Sequence, residues 1–287
     1  MIEMAVIGAG PAGMAAAIQC RRAGIEAILF EKDRLGGLLW EANLVENYLG
    51  FPGGVPGADL CRVFQEHVRQ QGVEVRREEV MLLEHDAESF ILTTPLGQYR
   101  SRMVTVATGT LPAAARLGLG VDGRRVFDSI RHLSGAEGKS VAVIGAGDAA
   151  YDYSLRLADK NNVTIISRGS PRCLPLLRER AMASPSISFL DGRTVSRSIK
   201  SDGSVAVLLS HQDGEAWMEF DALLLAVGRV PNMVMMGDSV SGSLESLMNN
   251  GSMYMAGDVV NGDRRQAAIA AADGIRAAMS AREAKER

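Results

Sequence analysis

Residues 4–13 read M-A-V-I-G-A-G-P-A-G, and residues 141–150 read V-A-V-I-G-A-G-D-A-A. The two segments lie 137 residues apart and share seven of ten positions. Each is a short apolar run, then a glycine turn, then an alanine-rich stretch (Ala12–Ala23 and Ala149–Ala158). A second apolar run follows each, at Ala27–Phe30 and Val163–Ile166. The spacing predicts two strand–turn–helix–strand units, the context in which a Gly-x-Gly-x-x-Gly pattern acquires a mechanism. Gly8 permits the tight turn, Gly10 lets backbone amides approach a pyrophosphate, and Gly13 lets the helix pack closely on the strand. Pro11 and Ala12 complete the first turn, and the diphosphate sits on the positive end of the helix that follows. In the repeat the corresponding residues are Gly145, Gly147, Asp148 and Ala149, with Ala150 in the third glycine's place.

The copies differ at the end of the second strand. In the first it ends at Glu31, where a carboxylate accepts hydrogen bonds from ribose hydroxyls. In the second it ends in Ser167 and Arg168, with Arg172 nearby and no acid. A carboxylate repels a 2′-phosphate, whereas a guanidinium clamps one. The second site is therefore expected to take NADPH rather than NADH, the other reading of the two arginines being a solvated loop. The first suits a dinucleotide without that phosphate.

At about 150 residues per domain, 287 residues suggest two domains. Two further apolar runs, Val104–Gly109 and Leu223–Gly228, end in small residues and are followed by Pro112 and Pro231, which punctuate the chain. They mark crossings between lobes. The expected fold is α/β, with two Rossmann-like dinucleotide-binding domains, one inserted into the other. Residues 1–112 and 230–287 form the discontinuous domain, and 113–229 the inserted one. Near the C-terminus, Met253–Ala256 is expected as a strand ending in Gly257 and Asp258, before an alanine-rich helix from about Arg265 to Arg282. Asp258 is either an N-cap or turn residue or a second grip on the first dinucleotide.

Composition removes several classes of function. The 31 glycines show no Gly-x-y period, and a formal charge of −3 argues against nucleic acid or an anionic membrane surface as partner. Three scattered cysteines, Cys20, Cys61 and Cys173, make neither a disulfide framework nor a metal site, and point to a cytoplasmic, reducing setting. No stretch approaches the length of a membrane span, and the glycines and Pro11 interrupt the apolar N-terminus that would otherwise imitate a leader. The methionines between Met233 and Met255 are expected to fill core gaps, an adaptable partner surface being the alternative.

These motifs resemble the low-molecular-weight thioredoxin reductase branch of the pyridine nucleotide-disulfide oxidoreductases. The matching segments are G-A-G-P-A-G at Gly8–Gly13, Gly36-Gly37, V-E-N-Y-L-G-F-P at Val45–Pro52 and A-T-G at Ala107–Gly109. G-A-G-D-A-A at Gly145–Ala150, G-R-V-P-N at Gly228–Asn232, G-D-V at Gly257–Val259 and R-Q-A at Arg265–Ala267 follow in the same order. The resemblance implies FAD on the first domain and NADPH on the inserted one, and a homodimer. It places Gly36, Gly37, Asn47 and Gly109 near the FAD, and Asp258 with Gly257 at its ribityl–diphosphate portion. Arg265, Gln266 and Ala267 would face the pyrimidine edge of the flavin, and Gly228 and Arg229 belong with the NADP site.

One departure changes the expected reaction. The family's Cys-x-x-Cys-Asp corresponds here to Asp128-Ser129-Ile130-Arg131-His132, which holds no cysteine. A dithiol relay needs two sulfurs within bonding reach, one of them able to become a thiolate. The leading expectation is thus an FAD-dependent NADPH oxidoreductase whose flavin meets its acceptor directly, whether a small molecule or a redox protein. The alternative is a ferredoxin (flavodoxin)–NADP reductase-like or thioredoxin reductase-like protein using an external redox partner. The ferredoxin branch usually carries an aromatic on an extended C-terminal tail, whereas this sequence ends A-R-E-A-K-E-R. A sensor that binds both nucleotides without turnover is the non-enzyme alternative. His132 is the one candidate catalytic residue, a proton shuttle or else a surface histidine.

Overall fold

The computed structural model describes residues 1–86, 88–200 and 203–286. The chain forms two units. One contains Met1–Trp40, Val45–Leu111 and Pro231–Arg287; the other contains Glu41–Leu44 and Pro112–Val230. The boundaries expected from the sequence put residues 41–44, 112 and 230 in the first domain; they fall in the second unit. Arg287, the last residue of the polar tail, lies outside the described residues.

In the first unit the strands Glu74–Arg76, Ala27–Phe30, Ile2–Ile7, Gly97–Val106 and Met253–Met255 are parallel neighbours in that order. The opening strand, buried over its last four residues, is an apolar run of the kind a sheet covered on both faces requires. Register aligns the carboxyl ends: Ile7 lies opposite Phe30 and Val106, and Val106 opposite Met255. Gly8, Glu31, Ala107 and Ala256 therefore leave the sheet together, which is where ligands bind in open α/β sheets. Antiparallel strands Leu82–His85 and Phe90–Thr94 extend the sheet through Gly97–Val106, an addition the sequence reading did not include. Helices Pro11–Arg22 and Ala267–Lys285 cross through a cluster of small residues, Ala12, Ala107, Ala256, Ala270 and Ala277. Most of the methionine-rich segment is core: Met235 and Met253 are buried, and Met236 and Met255 pack against them. Met248 is exposed.

In the second unit Ile187–Leu190, Asn162–Ile166, Ser140–Ile144, Ala222–Leu225 and Val126–Phe127 form a parallel sheet in that order. Helix Asp148–Ala158 packs on it through Ala150, Tyr151 and Leu157. An antiparallel sheet of Thr194–Lys200, Val205–His211 and Gly214–Phe220 covers Ile144, Ile166 and Leu223 with Val195, Val205, Val207 and Phe220. The segments by which the chain passes between units, Thr110–Pro112 and Arg229–Pro231, pair as a two-stranded sheet. Among the described residues no helix is long and apolar enough to cross a membrane.

Candidate functional site

The first glycine turn is built by exclusion of side chains. The Gly8 amide donates to the Phe30 carbonyl at 2.8 Å, and the residue adopts φ +99°. A Cβ at Gly8 would lie 2.5 Å from the Ala107 carbonyl oxygen, and one at Gly13 would lie 1.8 Å from the Gly8 oxygen. Strand, turn and helix thus approach at backbone distance, as a pyrophosphate cradle requires. Around Gly10 the opposite holds: a Cβ there would meet nothing within 4 Å. Gly10 caps helix Pro11–Arg22 without a side-chain hydrogen bond, so the first-turn amides are left for another acceptor. Pro11 opens the helix where a missing N–H loses nothing. Tight walls, an open face and uncapped amides fit a dinucleotide diphosphate.

Residues distant in sequence complete this cradle. The Glu31 carboxylate accepts the Ala9 amide at 2.7 Å and the Asp33 amide at 2.9 Å, which fixes its place beside the turn. The Gly36 amide donates to the Ala9 carbonyl at 2.7 Å, and Gly37 follows with its Cβ position 3.3 Å from Gly10 Cα. Gly257, at φ +80°, has its Cβ position 2.8 Å from Ala12 Cβ, so the turn bearing half-buried Asp258 lies against the first turn of the helix. Asn47 Nδ2 donates to Gln266 Oε1 at 2.8 Å, joining two residues 219 apart. Gln266 is the N-cap of the C-terminal helix, which begins at Ala267. Arg265 is only loosely paired with Asp263, at 3.7 Å. Gly109, at φ +65°, accepts the Asn232 amide through its carbonyl at 2.9 Å.

Further residues pack around the cradle without having been singled out as site residues from the sequence, although Thr108 lies in the A-T-G segment. Thr108 Oγ1 donates to the Asn232 carbonyl at 2.6 Å. Trp40 donates its indole N–H to the Leu35 carbonyl and carries the Arg34 guanidinium 4.3 Å from its ring centroid. A Cβ on Gly36 would lie 2.6 Å from Trp40 Nε1 and from Cys61 Sγ, so Trp40 also packs beside the cradle. Asp273 accepts the Gly257 amide, and a Cβ on Gly274 would lie 2.0 Å from the Ala12 oxygen. Besides Thr108 in its A-T-G segment, Gly274 left a readable trace, as a lone glycine inside an alanine-rich helix.

The second glycine turn repeats the construction. The Gly145 amide donates to Ile166 O at 3.0 Å, and a Cβ there would lie 2.3 Å from Ala226 O and 3.0 Å from Ala150 Cβ. Gly147 caps helix Asp148–Ala158 with no side-chain bond and has nothing within 4 Å of its Cβ position. The loop after the second strand is tied to this turn at two points. The Arg172 amide donates to Ala146 O at 2.7 Å, and Asp148 Oδ1 accepts the Leu174 amide at 2.8 Å. Ala149 stands in the same first helical turn. Arg168 and Arg172 are exposed and join no ion pair among the described residues, leaving both positive charges unneutralised. Ser167 is buried, with its hydroxyl 2.7 Å from both Gly169 O and Asp191 Oδ1, either of which can accept its single proton. Gly228, at φ +101°, accepts the Ala113 amide at 2.9 Å, and half-buried Arg229 follows it.

The segment Asp128–His132 runs into a short 3-10 turn, Ile130–Leu133. His132 is exposed, with its ring stacked on Phe127 at 5.9 Å. Ser129 donates its hydroxyl to the buried Glu41 carboxylate, which also accepts the Tyr153 hydroxyl at 2.9 Å. Burial, reinforced by Glu41, drives the Tyr153 phenol well above its usual range. Burial likewise raises the Asp152 carboxyl, which accepts the Asn43 amide at 2.8 Å.

The three thiols are free. Cys20 and Cys61 are inaccessible in the first unit, and burial pushes both up to about 12. Cys173, half-buried in the second unit, is also raised by desolvation. Among the described residues no group of three or more histidine, cysteine or acidic side chains could hold a metal.

Residues 2–274 match the family described as pyridine nucleotide-disulphide oxidoreductase. The chain is 31% identical over 304 residues to a bifunctional thioredoxin reductase/thioredoxin of Mycobacterium leprae, covering 97% of this chain and 65% of that one. It thus spans just under two thirds of that relative's length. It is 28% identical to a ferredoxin–NADP reductase of Ignicoccus hospitalis, over 98% of this chain and 97% of the relative. The crystal structure of the thioredoxin reductase of T. acidophilum superposes with a TM-score of 0.87 at 25% identity, covering 99% of both chains.

Proposed function

The chain belongs to the pyridine nucleotide-disulphide oxidoreductase family, and on that premise we propose that it is an FAD-containing, NADPH-dependent oxidoreductase whose electrons leave without passing through its own thiols. The observation that carries the reading is the pair of glycine turns. Each excludes side chains on its walls, opens on one face, and ends at an uncapped helix N-terminus. The bound cofactors supply hydride transfer from the nicotinamide to the flavin, the chemistry no side chain provides. The chain's residues bind and orient them. Helix amides and Glu31 hold one nucleotide; Gly145, Gly147 and the Arg168–Arg172 loop hold the other. Two fully buried thiols that ionise only near pH 12, and a third alone in the other unit, do not form a dithiol relay.

The acceptor in this reading is an external small molecule or redox protein. A ferredoxin is one protein acceptor this reading admits, the relative named for that activity being matched over 97% of its length. His132, exposed with its ring stacked on Phe127, is the side chain this reading offers for the accompanying proton transfer, a surface histidine being the alternative. A homodimer in the cytoplasm completes the proposal. The test is an anaerobic titration of the purified yellow protein with NADPH, followed by thioredoxin, ferredoxin, quinone or oxygen. Bleaching by NADPH and reoxidation by an acceptor other than thioredoxin are expected. A flavin that stays oxidised with both NADPH and NADH would remove the enzymatic reading.

A further inference from the structure

Asp273 lies inside the C-terminal helix, seven residues past its N-cap, and the reaction proposed above does not use it. Its side chain is only 10% exposed. One carboxylate oxygen, Oδ2, accepts both the Gly257 amide at 3.2 Å and Asn261 Nδ2 at 2.6 Å. The other is paired with Arg276, one turn further along the helix. A mostly buried carboxylate is stable only when its charge is answered, and here three donors answer it.

The neighbouring residue extends the construction. Gly274 brings the helix onto Ala12, where a Cβ would lie 2.0 Å from the Ala12 oxygen and 2.9 Å from the Ala16 nitrogen. Ala12 is also what a Cβ on Gly257 would strike. The dipeptide Asp273-Gly274 therefore registers three things at one place: the C-terminal helix, the first turn of Pro11–Arg22, and the turn Gly257–Asn261. The Gly257 amide is spent on Asp273, which fixes the turn that carries Asp258.

We propose that Asp273 is a positioning residue for the flavin nucleotide, holding the Gly257–Asn261 turn against the first turn of Pro11–Arg22, beside the ribityl chain of the bound dinucleotide. The proposal rests on the reading of the first unit as the FAD-binding one. Arg276 and Asn261 have a defined part in it. Arg276 offsets the charge of the carboxylate and Asn261 adds a neutral hydrogen bond to it, and so an acid can serve as the anchor.

The test separates positioning from general support by using two ligands. The full chain, stripped of flavin, is titrated with FAD and with ADP, in the wild type, D273A, D273N and N261A. ADP carries the diphosphate and ribose held by the glycine turn and Glu31 but lacks the ribityl chain and flavin that the Gly257–Asn261 turn would flank. D273A is expected to weaken FAD at least about tenfold, the scale of one charge-assisted hydrogen bond, while ADP changes less than about twofold. D273N, which keeps an acceptor oxygen for Gly257, and N261A should show smaller losses with the same preference for FAD, and they carry the test if D273A does not fold. Parallel losses of FAD and ADP, or unchanged FAD affinity, would overturn the proposal. A wild-type chain that binds ADP but no FAD would instead overturn the cofactor assignment beneath it.

Discussion

Replacing all three cysteines by alanine tests the step on which the functional reading turns. At pH 7.5 a thiol ionising near 12 is thiolate in only about 3 molecules per 100,000, some thousandfold below an ordinary cysteine. Cys20 and Cys61 are each 0% exposed, so no partner disulfide can reach them in the folded state. A thiol relay through either would run on that fraction, and Cys173 has no second cysteine in its unit. The triple variant is therefore expected to keep NADPH-driven flavin reduction and acceptor turnover within about twofold, the thiols contributing no transition-state interaction. Stability should fall by about 1–2 kcal/mol for each buried sulfur, the range for deleting one or two buried heavy atoms. The pH dependence carries a second signature. Because the folded thiols ionise near 12 and unfolded ones near 9, the unfolded chain loses those protons first as pH rises. Their contribution is intact below pH 9 and declines between 9 and 12, by up to about 1.4 kcal/mol per pH unit per thiol. The variant should lose that alkaline slope. Anaerobic stopped-flow absorbance of the flavin and denaturant melts across pH measure both. A tenfold or greater loss of acceptor turnover with flavin reduction intact would place a sulfur on the electron path and refute the reasoning.

Three further outcomes follow from the two cradles. Arg168→Ala should raise KM for NADPH about 10–100-fold, the worth of a lost guanidinium–phosphate pair, and leave NADH nearly unaffected; equal shifts in steady-state kinetics would return Arg168 to the solvated-loop reading. Glu31→Ala leaves the buried Ala9 amide without its acceptor, so the flavin-free chain should lose about 2–4 kcal/mol in a urea melt and FAD should bind at least about 30-fold more weakly. An unchanged FAD dissociation constant would show that Glu31 is structural only. Gly13→Val places its first carbon where the Gly8 carbonyl stands and should destabilise by about 3 kcal/mol or more, with flavin lost on purification. A yellow, normally melting variant would contradict the close packing of strand and helix.

The elements nearest the glycine turns were legible because each depends on local constraints. Ala27–Phe30 has the bounds its apolar run implied, and the first helix starts one residue earlier than expected because Pro11 occupies its first position. The C-terminal helix was expected from Arg265 and starts at Ala267, since Gln266 stays extended as the cap. Val104–Gly109 marked only the end of a strand that begins at Gly97, whose polar first half pairs with Phe90–Thr94 on an open face and so shows no apolar run.

The sequence by itself located the two glycine turns and the absence of a Cys-x-x-Cys, and it supplied the proposal that Glu31 and the Arg168–Arg172 loop tell the two nucleotides apart. Backbone sterics and residue chemistry act over a few positions, and a repeat states them twice. Tertiary structure alone decided that Glu41–Leu44 packs with the second unit, through bonds from Ser129 and Tyr153 that span 88 and 112 residues. It alone tied the Arg172 loop to Ala146 and set Asp273 under the Gly257 turn. A carboxylate that anchors a distant amide looks, in sequence, like one that faces water. Only the fold says which donor comes within reach and whether the water has been removed.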